Sequence, residues 1–155
     1  MTASFAPVVD ITRRQVGKPV LPRHLVVGVD GTKNSLRALD VVATVARRNE
    51  SAVTVAFVRH LPLFTGAVAV DWSGVFAAVE AEVADAARER LAGLRWELVV
   101  TDGAPALELE RIACDVGADL LVVGRSNGGP IHRLLDGSVG GHAATHARVP
   151  VLVVR

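Results

Sequence analysis

The stretch GRSNGGPIHRLLDGSV, residues 124–139, gathers groups suited to holding an anion. Gly124, Asn127, Gly128 and Gly129 crowd its start, and Gly137 precedes Ser138 at its end. So much glycine sacrifices conformational order, which argues that bare backbone is being used for something. A phosphate needs donors arranged in a cup, and backbone N–H groups provide them where no side chain intervenes. The first turn of a helix adds unpaired N–H groups and a positive dipole end. Such a helix is predicted from about Gly137 to His146, with the Ser138 hydroxyl as a further donor. Asn127 tolerates a left-handed backbone better than most residues other than glycine. A loop that merely turns the chain would also use glycine, so its place in the fold decides between the readings.

A second stretch, VDGTKNS (residues 29–35), follows the first apolar run. Asp30 has two readings. Beside phosphates its charge needs an intervening divalent cation, with magnesium the candidate, or its oxygens bond a sugar hydroxyl or an amide. Alternatively it caps the local turn DGT. Val58 either lines a slot for a base or belongs to the core. Arg125 and Arg133 flank the glycine-rich stretch and either meet phosphate charge or lie on the surface.

Other chemistries fit poorly. No Walker A motif is present, because Lys18 precedes Pro19, and no G-x-G-x-x-G follows the first strand. His142 and His146, four apart on one helix face, make at most half a zinc site, and a solvated or partly packed pair is expected. Asp136, Ser138 and His142 are near in sequence, which is not the geometry of a nucleophile, base and orienter, and there is no G-x-S-x-G elbow. Cys114 reads as an inert core thiol on the inner side of a helix.

The elements that must position these groups alternate. HLVVGVD (24–30), AVTVAFV (52–58), RWELVVT (95–101), DLLVVG (119–124) and VPVLVVR (149–155) are apolar, β-branched runs of the kind found in strands covered on both faces. Between them lie helices. The first is capped by Thr32 or Asn34 and runs to about Asn49, with Leu36, Leu39, Ala43 and Ala46 inward. The second spans about Ser73 to Leu91, with Phe76, Val79, Val83 and Ala87 inward. The third opens at Pro105 and ends near Gly117. The fourth is the helix after Gly137. RHLPLFTGAVAVD (59–71) reads as a long loop.

Repeated strand, helix, strand means parallel pairing with right-handed crossovers. The expected architecture is a doubly wound α/β sandwich, a five-stranded parallel sheet in the order 3-2-1-4-5 with helices on both faces. Strands one and four are then neighbours, and ligands bind at their carboxyl ends, where the connections reverse direction. Both loops singled out above leave the sheet there. That coincidence favours the anion-binding reading.

At 155 residues, half of them apolar, the chain suits one folded domain. Residues 1–22, with three prolines and four nearby basic positions, read as a flexible leader, and residues 23–155 as the single domain. A net charge of +1 gives no reason to expect nucleic acid. No apolar run is long enough to span a bilayer and no secretory signal is seen, so no membrane association is expected. A single cysteine fits a reducing, cytoplasmic setting.

From about residue 23 onward the chain resembles the nucleotide-binding branch of the universal stress protein family. The resemblance rests on VVGVDGT, ADLLVVG, RLLDGSV and the closing VPVLVV. That branch carries G-x2-G-x9-G-S/T after strand four. Gly124, Gly137 and Ser138 match at the right spacing, and Asn127 stands where the second glycine belongs. The resemblance implies an adenine nucleotide alpha-hydrolase-like fold that binds ATP or AMP. It places Gly28, Val29 and Asp30 on the adenine and ribose side and Val58 on the base. It places Val123, Gly124, Asn127, Gly137, Ser138 and Val139 around the ribose and phosphates. It also implies a homodimer through the last strand, which as an open apolar edge needs covering in any case.

The expected function is a dimeric, cytoplasmic, ATP-binding regulatory protein of the stress response, with at most slow ATP hydrolysis because no general base is in evidence. The alternative is an interaction module that no longer binds nucleotide, for which Asn127 speaks. A nucleotide-using transferase or pyrophosphatase would carry S-G-G-x-D-S or H-x-G-H near strand one, and DGTKNS is neither.

Overall fold

The computed structural model describes residues 21–60, 71–125 and 148–155. Strands β1 (His24–Gly28), β2 (Ala52–Arg59), β3 (Trp96–Asp102), β4 (Leu120–Gly124) and β5 (Val151–Val154) alternate with helices α1 (Lys33–Asn49), α2 (Trp72–Arg90) and α3 (Pro105–Asp115). They form one parallel sheet in the order β3-β2-β1-β4-β5, as the alternation required. Strand and helix limits fall within two residues of expectation. The sheet ladder of β1 stops at Gly28 rather than Asp30, because the chain turns at Gly31 with a φ of +80°. The stretch where a fourth helix is expected, the expected leader to residue 20 and residues 61–70 lie outside the described residues.

Alternation along the strands divides the core in two. Leu25, Val27, Val53, Val55 and Val122 pack beneath α1 and α2, with Leu39, Val42 and Val83. Val26, Ala56, Leu121 and Val123 pack beneath α3, with Leu109 and Ile112. These side chains are almost wholly removed from water. Each one of this size contributes about 1.5–3 kcal/mol.

Local signals set the helix ends. Thr32 caps α1, its hydroxyl accepting from the Ser35 N–H at 3.3 Å while the Ser35 hydroxyl donates to the Thr32 carbonyl at 2.9 Å. Asn34, the other capping candidate, lies inside the helix. Pro105 begins α3, where its missing N–H costs nothing. Cys114 sits half-buried against the α3-side core, in keeping with a packing role. In α2 the expected inward stripe splits. Val83 and Ala87 are buried, whereas Phe76 and Val79 are only half-covered. The helix's first turns face a cavity rather than the sheet.

Candidate functional site

That cavity lies at the carboxyl ends of β1 and β2, beside the place where the order of connections reverses. It encloses about 280 Å³, near the lower end of the roughly 300–1,000 Å³ typical of small-molecule sites. Its floor is Gly28, Val29 and Ala56. Val58 and His60 come from the end of β2, Val75, Phe76 and Val79 from α2, and Pro105 and Leu109 from α3. The walls are mainly apolar and suit a flat ring. Among the described residues, Asp30 and His60 are the ionisable side chains on it.

Gly28 fixes how deep the floor can be. A Cβ there would stand 2.9 Å from Leu109 Cδ1, so the bare residue lets the strand end and α3 close up without displacing that side chain. Val29 holds the next step by donating its N–H to the Ala56 carbonyl at 2.9 Å, and its own side chain is buried beneath α1 and α2. Asp30 Oδ1 accepts from both the N–H of Thr32, at 3.0 Å, and its hydroxyl, at 2.6 Å. The turn-capping role weighed for Asp30 is therefore present, and the exposed carboxylate still borders the cavity.

Gly124 is also bare for a packing reason. A Cβ on it would fall 2.4 Å from the carbonyl carbon and oxygen of Asn34 and 2.6 Å from the Ser35 nitrogen. The first turn of α1 rests directly on the end of β4. Asn34 locks the contact by donating from Nδ2 to the Arg125 carbonyl at 2.7 Å. The two loops that leave the switch point are thus fastened to each other. Beside them, Val123 is fully buried in the α3-side core.

Of the residues singled out in the sequence, Gly28, Val29, Asp30 and Val58 meet on one cavity, while Val123 and Gly124 form its support rather than its lining. Asn127, Gly137, Ser138 and Val139 lie outside the described residues. The contributions of α2, α3 and His60 were not read from the sequence. Phe76 and Val79 carried a signal, their inward periodicity, that could not say they would overhang the sheet.

Close by, the hydrogen bond from Arg111 holds the Glu108 carboxyl below the usual carboxylate range, against a smaller opposing effect of burial. The Arg111 Nη2–Glu108 Oε2 distance is 2.7 Å. Glu108 also packs under Gly103, the residue that follows β3. Among the described residues no group of three or more His, Cys, Asp or Glu side chains could hold a metal ion. Among them also, no helix is long and apolar enough to cross a membrane.

The donor set fits an adenine nucleotide only in part within these residues. An apolar slot for the base is present, but among the described residues no Lys or Arg lines the cavity.

Comparison with known proteins identifies the family and the fold. The sequence model described as the universal stress protein family matches residues 22–155. A universal stress protein of Methanocaldococcus jannaschii is 28% identical over 141 residues, covering 87% of this chain and 83% of its own. Among solved structures, a universal stress protein in complex with cAMP is 29% identical with a TM-score of 0.63, covering 86% of this chain and 97% of that one. The Archaeoglobus fulgidus universal stress protein in complex with dAMP shares the fold, at 22% identity and a TM-score of 0.58, over 88% and 100% of the two chains.

Proposed function

The chain belongs to the universal stress protein family, and on that premise we propose that it binds an adenine nucleotide, ATP or AMP, in the crevice at the carboxyl ends of β1 and β4. The observation that carries this reading is the apolar cavity of about 280 Å³, floored by Gly28, at the ends of β1 and β2 beside the switch point of the sheet. The relative solved with cAMP, 29% identical, supports the same ligand class. The base would lie between Val58 and the overhanging Phe76 and Val79. Bare backbone at residues 124–139 would take the phosphates, with Ser138 as a donor. Magnesium would accompany ATP, shielding its charge from Asp30.

On this reading the nucleotide is held rather than turned over, with hydrolysis slow at most. Its bound state would tune conformation or partner binding in a cytoplasmic stress response. The last strand, β5, is an apolar edge whose four residues are all half-buried. Pairing with a second copy would satisfy its open hydrogen-bonding groups.

Titration calorimetry with AMP, and with ATP plus and minus magnesium, tests the reading. Saturable heat with one site per chain is expected. Absence of heat at millimolar nucleotide overturns it and favours the interaction module, the reading for which Asn127 in the second-glycine position speaks.

A further inference from the structure

His60 stands one residue beyond β2 and two beyond Val58, and it is among the residues that line the cavity. Its Nδ1 is 3.1 Å from the Gly103 carbonyl oxygen. A carbonyl oxygen only accepts, so in the neutral imidazole Nδ1 carries the hydrogen and Nε2 is left as a bare acceptor. The tautomer is chosen by a backbone group that is itself fixed. Gly103 donates its N–H to the Arg59 carbonyl at 3.1 Å. Its φ of +145° is open to glycine, and a Cβ there would strike Glu108 Cγ at 2.9 Å. The neighbouring Arg59–Asp102 ion pair, 2.7 Å, ties the same two strand ends together. Among the described residues His60 Nε2 has no hydrogen-bond partner, while Asp30, the other ionisable group on this lining, has its Oδ1 tied to Thr32 in the β1 turn.

An acceptor at the edge of an otherwise apolar slot favours a ring that presents N–H groups to it. A 6-aminopurine does so with its exocyclic amine. A 6-oxopurine presents an oxygen instead, lone pair against lone pair, and leaves both groups unsatisfied. We propose that His60 is a specificity-determining residue that reads the 6-position of the purine and favours the 6-amino over the 6-oxo base. This rests on the nucleotide reading above.

AMP and IMP differ only in the 6-substituent and the N1 hydrogen, so their Kd values isolate the effect. In the unaltered protein AMP should bind about tenfold more tightly than IMP. His60→Gln carries an amide that can turn either its oxygen or its nitrogen to the base, and should bring the ratio near one with AMP still bound. His60→Phe keeps a flat ring without nitrogen, and should also level the ratio while weakening AMP. The residue is exposed, so both variants should keep the melting temperature of the parent. A ratio near one in the unaltered protein, or a preference unchanged in both variants, overturns the role of His60 and leaves nucleotide binding standing. Failure of the unaltered protein to bind either nucleotide overturns the nucleotide reading, and this inference with it.

Discussion

At the amino end of the sheet, Gly93 and Gly117 turn the chain with φ angles of +79° and +64°, and a Cβ on either would meet nothing within 4 Å. At the carboxyl end, a Cβ on Gly28, Gly103 or Gly124 would strike a neighbour at 2.9 Å or less. Polar groups are paired off at both ends, at the carboxyl end by Asp30–Thr32, Asn34–Arg125 and Arg59–Asp102. At the amino end Asp119 Oδ2 accepts from the N–H groups of Arg23 and His24, at 2.7 and 3.0 Å. The buried Thr54 hydroxyl lies between His24 Nε2 at 2.8 Å and Glu97 Oε1 at 2.9 Å. The difference lies in the glycines: Gly93 and Gly117 serve backbone angle alone. The carboxyl end needs the absence of a side chain, and what it gains is close approach and an open cavity.

The largest effect that could break this contrast is expected from Gly124→Ala. The clash is with main-chain atoms of Asn34 and Ser35 rather than with the tip of a flexible side chain. Relief would require the first turn of α1 to lift, against the Asn34–Arg125 hydrogen bond. The loss of stability should reach or pass the upper end of the about 1–3 kcal/mol seen for overpacking, read from the urea midpoint. A loss as small as that of an amino-end glycine would mean that the two ends do not differ as argued.

Gly28→Ala sharpens the contrast by separating stability from binding. Its new methyl would meet Leu109 Cδ1 and Cδ2 at 2.9 and 3.2 Å, atoms that rotate away at modest cost. Stability should fall by about 1–2 kcal/mol. Leu109 also lines the cavity, so its displacement should narrow the slot. AMP affinity is expected to drop about tenfold, on the order of 1.4 kcal/mol, in a titration run beside the melt. Unchanged affinity would show that Leu109 moves away from the cavity.

Sequence reading reached the architecture because apolar strand runs, caps and Pro105 are local signals, and because the parallel-sheet rules leave few ways to order five strands. Asp30 was legible as the end of the first strand, whereas Gly28, Val29 and Val58 entered only through the family resemblance; all four line the cavity. Sequence reading could not see contacts made across the fold. Gly124 read as a phosphate residue, and its packing against α1 depends on a partner stretch about 90 positions away, sealed by a hydrogen bond spanning 91. Asp30 offered two roles until Thr32 was placed against it. His60 belongs to no motif, and its chemistry appears only when Gly103, 43 positions on, fixes its ring.

The smallest expected effect, at Gly117, tests the other side of the contrast. Gly117 follows the C-cap of α3, where its N–H reaches the Cys114 carbonyl at 3.1 Å and Ala118 returns to the Ala113 carbonyl at 2.8 Å. The φ of +64° is left-handed, which costs an L-residue roughly 1–2 kcal/mol. A substitution also reduces the freedom of the unfolded chain, which returns about 0.4–1 kcal/mol. Gly117→Ala should therefore lose only about 1 kcal/mol, and Gly117→Asn still less, because asparagine tolerates this region. Neither should alter AMP affinity, since the turn lies at the opposite end of α3 from the Pro105 that lines the cavity. If Gly117→Asn proved as damaging as Gly124→Ala, bare surface would be needed at both ends of the sheet, and glycine at the crevice would lose its special meaning.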